Sequence, residues 1–235
     1  GDVKRALELW QQSLAILEQI GDIQGKAATL HQMAGMIAKQ GDVKRALDLW
    51  RQSLDIEEQI GDVRGKAATL SMMAGVVAQQ GDVKRALELW RQSLDIEEQI
   101  GDVQGKAATL HNMAETIAQQ GDVKQALELW QQSLDAEEQI GDVWGKAATL
   151  SMMAGVIADQ GDIKRALELW QQSLVLKEQI RDVEGKAATL SNMAYVIAQQ
   201  GDVKRALEMY QQSLTLHEQI ADVRGQAAPL HQMAG

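Results

Sequence analysis

Several side chains in this chain have the types and spacing to do chemistry, and each also fits a plainer role. The segment Gly61-Asp62-Val63-Arg64-Gly65-Lys66-Ala67 approaches a phosphate-binding loop, in which backbone amides cradle phosphate and a lysine reaches its outer oxygens. It has one residue too few between the glycines, Ala follows the Lys, and no strand precedes it. It therefore reads as a helix start with a close-packed glycine. His31 and His111 carry imidazoles suited to zinc, but zinc needs every ligand within about 2.1 Å of one ion. They belong to non-neighbouring helices, and even neighbouring helices are roughly 8–10 Å apart. Ser71 and His111 lack the third group that would orient a hydrolytic pair. The carboxylate pairs Glu57-Glu58, Glu97-Glu98 and Glu137-Glu138 diverge on a helix, which defeats paired acid–base work. They read as a solvated acidic outer face. No catalytic residue, cofactor site or metal site emerges, so the expectation is a protein that is not an enzyme.

The elements that carry these residues recur. The stretch Leu30 to Leu54, LHQMAGMIAKQGDVKRALDLWRQSL, returns at Leu70, Leu110, Leu150 and Leu190, with a truncated copy at Leu230. A fixed period in the 20–50 residue range marks a repeat array. Val3, Leu7, Trp10, Leu14, Leu17 and Ile20 step by three or four, as on an amphipathic helix. Gly21-Asp22 then ends one helix and begins the next, Gly for the left-handed residue past a helix end and Asp for the N-cap. Leu30, Met33, Ala34 and Ile37 form the apolar stripe of the second helix. Calling the helix of Leu7 type B and that of Leu30 type A, a B helix at 1–20 precedes helix pairs 21–60, 61–100, 101–140, 141–180 and 181–220. A partial A helix at 221–235 ends the chain. It stops mid-helix, which reads as a fragment of a longer array or a frayed last helix. Two positions break the turn pattern: Gly21 becomes Arg181 and Ala221. A Cβ in the left-handed conformation costs about 1–2 kcal/mol, so both turns are expected to be looser or differently capped. Pro229 replaces the steady Thr29 and would remove a backbone donor inside a helix.

Composition narrows the class. Hydrophobic content of 45% fits a folded chain, and one proline favours helix throughout. A net charge of −10 argues against nucleic acid, which needs a basic stripe. No apolar run is long enough for a membrane span, and the absence of cysteine leans mildly toward the cytoplasm.

Aligning the periods separates constant from variable positions. Ala6, Leu7, Ser13, Leu14, Ile20, Gly25, Leu30, Met33 and Ala34 keep their type in every copy and read as packing positions. Variation gathers at 31, 32, 35, 36 and 39 on the A helix, and at 15, 17 and 24. Position 35 runs Gly35, Gly75, Glu115, Gly155, Tyr195, Gly235.

Leu30, Met33-Ala34, Ile37, Gly41, Ala46, Trp50 and Ser53, repeated through essentially the whole chain, resemble tetratricopeptide repeats. The forty-residue period departs from the usual 34 and is similar to the longer variant of kinesin light chain and of Leu-Gly-Asn-type polarity adaptors. The LELWQQSL…EQIGD…GKAATL flavour also resembles arrays attached to bacterial signalling ATPases and caspase-like proteases. The family's closing proline is absent. The resemblance implies an all-α, right-handed superhelical solenoid of antiparallel helix pairs, with A helices lining a concave, peptide-binding groove. By position, Ala28, His31, Gly35, Ala38 and their equivalents would face it. The candidate contacts are His31, Ser71, His111, Asn112, Glu115, Ser151, Asn192 and Tyr195. Asn112 and Asn192 match the Asn that kinesin-light-chain-like repeats use to hold a peptide backbone. The groove cations that clamp chaperone tails are missing. Tryptophans 10, 50, 90, 130 and 170 match the family's core aromatic, whereas Trp144 falls where the other copies are polar and is a candidate exposed contact.

The expected function is a non-enzymatic scaffold for a protein or peptide ligand, with no nucleic acid and no membrane. Two alternatives stand beside it. One is a spacer that assembles head to tail through uncapped ends. The other is a sensor segment of a larger signalling ATPase or protease.

Overall fold

The computed structural model describes the backbone of residues 2–233 and the side chains of residues 4–220. Among these residues the chain is helical throughout. The elements are α1 (Asp2–Ile20), α2 (Ile23–Lys39), α3 (Val43–Ile60), α4 (Val63–Gln79), α5 (Val83–Ile100) and α6 (Val103–Gln119) in one compact unit. A second unit holds α7 (Val123–Ile140), α8 (Val143–Asp159), α9 (Ile163–Gln179), α10 (Val183–Gln199) and α11 (Val203–Met233). Within each unit consecutive helices pack against each other, and successive A helices also touch: α2 on α4, α4 on α6, and α8 on α10.

The Gly-Asp dipeptide makes a two-residue connection. Gly61 sits at φ 71°, and the amides of Gly61 and Asp62 bond back to the carbonyls of Glu58 and Glu57, closing the end of α3 as a left-handed cap does. Asp62 then caps α4, its carboxylate accepting from the Gly65 amide at 2.9 Å. That carboxylate explains the constant glycine: a Cβ at Gly65 would lie 2.6 Å from Asp62 Oδ2.

The two departures from this turn have opposite outcomes. Arg181 keeps the turn instead of loosening it. It adopts φ 57°, and Asp182 N still bonds Lys177 O at 2.8 Å. At Ala221 no turn forms and α11 continues to Met233. Pro229 falls among the residues whose side chains are outside those described.

The core is made by the constant positions. In the first unit Ala34, Ala46, Ala74 and Ala86 are fully buried at the helix crossings, with Trp50, Trp90, Leu70 and Met73 filling the space between them. The second unit repeats this around Ala154, Ala166, Trp170, Leu190 and Met193. Small residues at crossings and large ones beside them give the interdigitation that close packing demands.

Candidate functional site

The constant Ser and Thr turn inward and bond to the polar side chain at position 17 of the B helix and to backbone carbonyls. Ser53 Oγ lies 2.8 Å from the carbonyl of Ala27 and 2.9 Å from Glu57 Oε1, which also accepts from Thr69 Oγ1 at 3.0 Å. Ser93, Glu97 and Thr109 repeat the arrangement with Ala67, and Ser133, Glu137 and Thr149 bond alike in the second unit. Glu57, Glu97 and Glu137 are 4%, 4% and 3% exposed. The expectation of a solvated acidic face is therefore wrong for the first member of each pair. Only the second member meets solvent: Glu58, Glu98 and Glu138 pair with Lys66, Lys106 and Lys146 on the following helix. Lys66, the lysine of the loop-like segment, is thus held by a carboxylate.

Burial raises the pKa of Glu57, Glu97 and Glu137, against the pull of their hydroxyl donors. Proton counting supports the neutral form. Ser53 has one hydroxyl proton, and the Ala27 carbonyl has none to give. If Ser53 donates to Ala27, its contact with Glu57 is a hydrogen bond only when the carboxyl carries a proton. Oε2 of each of the three is buried and meets no donor, which an ionised carboxylate tolerates poorly.

Three of the candidate contact positions belong partly to this frame. His31 is half-buried and its Nδ1 lies 2.7 Å from Thr69 Oγ1 in the next pair. Ser71 lies 3.5 Å from Thr109 Oγ1, and Ser151 lies 2.8 Å from Ser173 Oγ and accepts from Lys177 Nζ at 2.9 Å. His111 is likewise half-buried. Burial lowers the pKa of both histidines, opposed at His111 by Glu115. His31 and Ser71 thus face the neighbouring pair, and Ser151 faces the B helix of its own pair. The solvent-facing stripe of the A helices runs instead through 28, 32 and 39, as Ala28, Gln32 and Lys39 or Ala68, Met72 and Gln79, with 35 beside it. Gly35, Gly75 and Gly155 lie along this stripe, and a Cβ on any of them would meet nothing within 4 Å.

In the first unit this stripe opens a concavity of about 280 Å³ between α4 and α6, floored by the edge of Trp90 from α5. Ser71, Met72, Gly75 and Val76 line one wall, and Asn112, Glu115 and Gln119 the other. Three sequence candidates, Ser71, Asn112 and Glu115, are thus brought together. Met72, 44% exposed, was not among them; its variation between Gln, Met and Asn at position 32 was the available signal. In the second unit Asn192 and Tyr195 lie exposed on α10, and Trp144 is 67% exposed on the first turn of α8. Among the described residues no helix is long and apolar enough to cross a membrane.

A helix pair closed by a Gly-Asp turn, with small residues at the crossings and a Trp beneath, defines a class of helical repeat. The tetratricopeptide repeat pattern matches residues 25–99, 105–179 and 145–219. The chain belongs to the tetratricopeptide repeat family. No curated protein sequence matches it. Among solved structures it is similar to BtubC (BKLC) from P. vanneervenii, at 16% identity and TM-score 0.84, over 94% of this chain and 93% of that one. It is also similar to a Rap protein complexed with competence and sporulation factor, at 14% identity and TM-score 0.70, over 94% of this chain and 72% of that one. A third is a signal transduction ATPase with numerous domains from Pyrococcus horikoshii, described as having a tetratricopeptide repeat sensor. There identity is 15% and the TM-score 0.76, over 92% of this chain and 32% of that one.

Proposed function

We propose that the chain is a non-enzymatic scaffold that binds an extended peptide or protein segment between its A helices. The observation that carries this reading is a division of labour. The constant Ser and Thr hydroxyls bond inward across the helix pairs, whereas Met72, Asn112 and Glu115 vary between copies and line an open concavity. A surface that varies over a constant frame is suited to individual contacts, and several weak contacts along an array add up by avidity. The Rap protein likeness, to a chain crystallised with a bound factor, supports a binding role. The likeness to an ATPase with a repeat sensor favours a second form of it, in which this array is the sensing segment of a larger cytoplasmic signalling protein.

A random peptide library selected on wild type and on Gly75→Trp tests the reading. Gly75 lines the concavity, and a Cβ there meets nothing within 4 Å, so a large side chain at 75 is expected to occlude it. Peptides enriched on wild type and lost on the variant support the groove. Equal enrichment on both places binding elsewhere.

A further inference from the structure

We infer that the groove between α4 and α6 selects a lysine or arginine side chain from the bound segment, with Glu115 as its counter-charge. This rests on the peptide-binding reading above and specifies its ligand.

Glu115 is the only charged residue among those lining the concavity. It is half-buried, and none of the ion pairs among the described residues engages it, unlike the tethered Glu58, Glu98 and Glu138. It meets Gln119 Nε2 at 3.4 Å, too long for a strong N–H···O bond. His111 lies one turn earlier on α6, where burial lowers its pKa against the pull of Glu115. A carboxylate therefore faces the groove with acceptor capacity to spare.

The opposite wall supplies what a long cation needs. Met72 and Val76 present apolar surface on α4, along which the methylene stem of Lys or Arg can lie while its head reaches charge. The head then makes a charge-assisted bond to Glu115, shorter and stronger than a neutral one. Asn112, exposed one turn before Glu115, offers both a donor and an acceptor to the backbone of the same segment. Gly75 keeps the passage between the walls open. An acidic ligand residue would be repelled here, and an apolar one would desolvate Glu115 without pairing it. Position 115 corresponds to Gly35, Gly75 and Gly155, so those copies offer no such charge.

The test extends the library selection to Glu115→Gln. Peptides enriched on wild type are expected to carry Lys or Arg, and to bind Glu115→Gln roughly ten-fold or more weakly, as the loss of a charged hydrogen bond implies. Replacing the basic residue by norleucine is expected to weaken binding to wild type and to change little on Glu115→Gln. Peptides without a basic residue, or bound equally by Glu115→Gln yet excluded by Gly75→Trp, overturn the cation selectivity and leave the groove standing. No enrichment on wild type, or binding indifferent to Gly75→Trp, overturns the groove reading itself. Met72→Arg is a second blocking variant, since its guanidinium can reach across and occupy Glu115. Thermal melts of all variants confirm that the fold is kept.

Discussion

Lys177 donates from Nζ to Thr189 Oγ1 at 2.7 Å, at the place where Glu57 accepts from Thr69 at 3.0 Å. The inner position here donates where Glu57 accepts, and the threonine hydroxyl beside it re-aims to suit. Thr189 now donates to the Gly185 carbonyl at 2.8 Å, while Ser173 keeps the bond to the Ala147 carbonyl, at 2.7 Å, that Ser53 makes to Ala27. In the first copy Leu17 brings no polar group, and Thr29 again donates to a backbone carbonyl, that of Gly25, at 2.8 Å. One backbone frame thus hosts a carboxyl, an ammonium or an alkyl group, because rotating hydroxyls satisfy each in turn.

The carboxyl form has a pH signature. Burial raises the folded-state pKa of Glu57, Glu97 and Glu137, so the folded chain binds these protons more tightly than the unfolded one. Their stabilising contribution is fully present below the unfolded value of about 4.3 and is lost as pH rises through the raised folded values. His31 and His111 run the other way. Their lowered pKa values give a contribution present above about 6.5 and lost as pH falls through the folded values. The triple variant Glu57→Gln, Glu97→Gln, Glu137→Gln removes the first effect and keeps the second. Its amides mimic the protonated carboxyls, so its stability relative to wild type should increase from acidic to neutral pH. Urea midpoints of both proteins across that range check this, and a pH-independent difference would contradict neutral glutamates.

Trp90 is 2% exposed at the centre of the first unit. Trp90→Ala should cost about 3–5 kcal/mol, as large-to-small core changes do. Denaturant unfolding measures it, and a loss below about 1 kcal/mol, typical of surface sites, would remove Trp90 from the core.

Arg181 holds a left-handed conformation that other copies give to glycine. Arg181→Gly should relieve strain on the order of 1 kcal/mol, partly offset by the greater freedom of glycine in the unfolded chain. A small rise in melting temperature is the expected readout, and a fall would show that the Arg side chain contributes more than its backbone costs.

The helices and their turns were legible because they depend on local signals: the Gly-Asp pair, the three-four spacing of Leu30, Met33 and Ile37, and the constant Gly65 over its capping Asp62. The separation of Glu57 from Glu58 was not legible from the pair itself. Two identical neighbours on a helix differ by about 100° of rotation, and only packing decides which one points inward. The column Leu17, Glu57, Glu97, Glu137, Lys177, His217 held the clue, since a Leu in it marks an inward position. Position 31 misled for a related reason. His and Ser alternate there, which resembles a ligand-facing series, yet both can bond the constant Thr of the next pair. Met72, on the groove wall, lies next to the core residue Met73 and was hidden by that adjacency.

Methyl NMR of the methionines gives the most direct test that the varied stripe, and not the constant frame, receives a ligand. Met72 is 44% exposed in the groove, whereas Met33, Met73 and Met113 are 3%, 3% and 5% exposed in the core. Titrating a library-selected peptide into the protein should shift the Met72 methyl resonance while the three core methyls hold their positions. Binding that leaves Met72 unmoved would contradict the groove between α4 and α6 as the binding site.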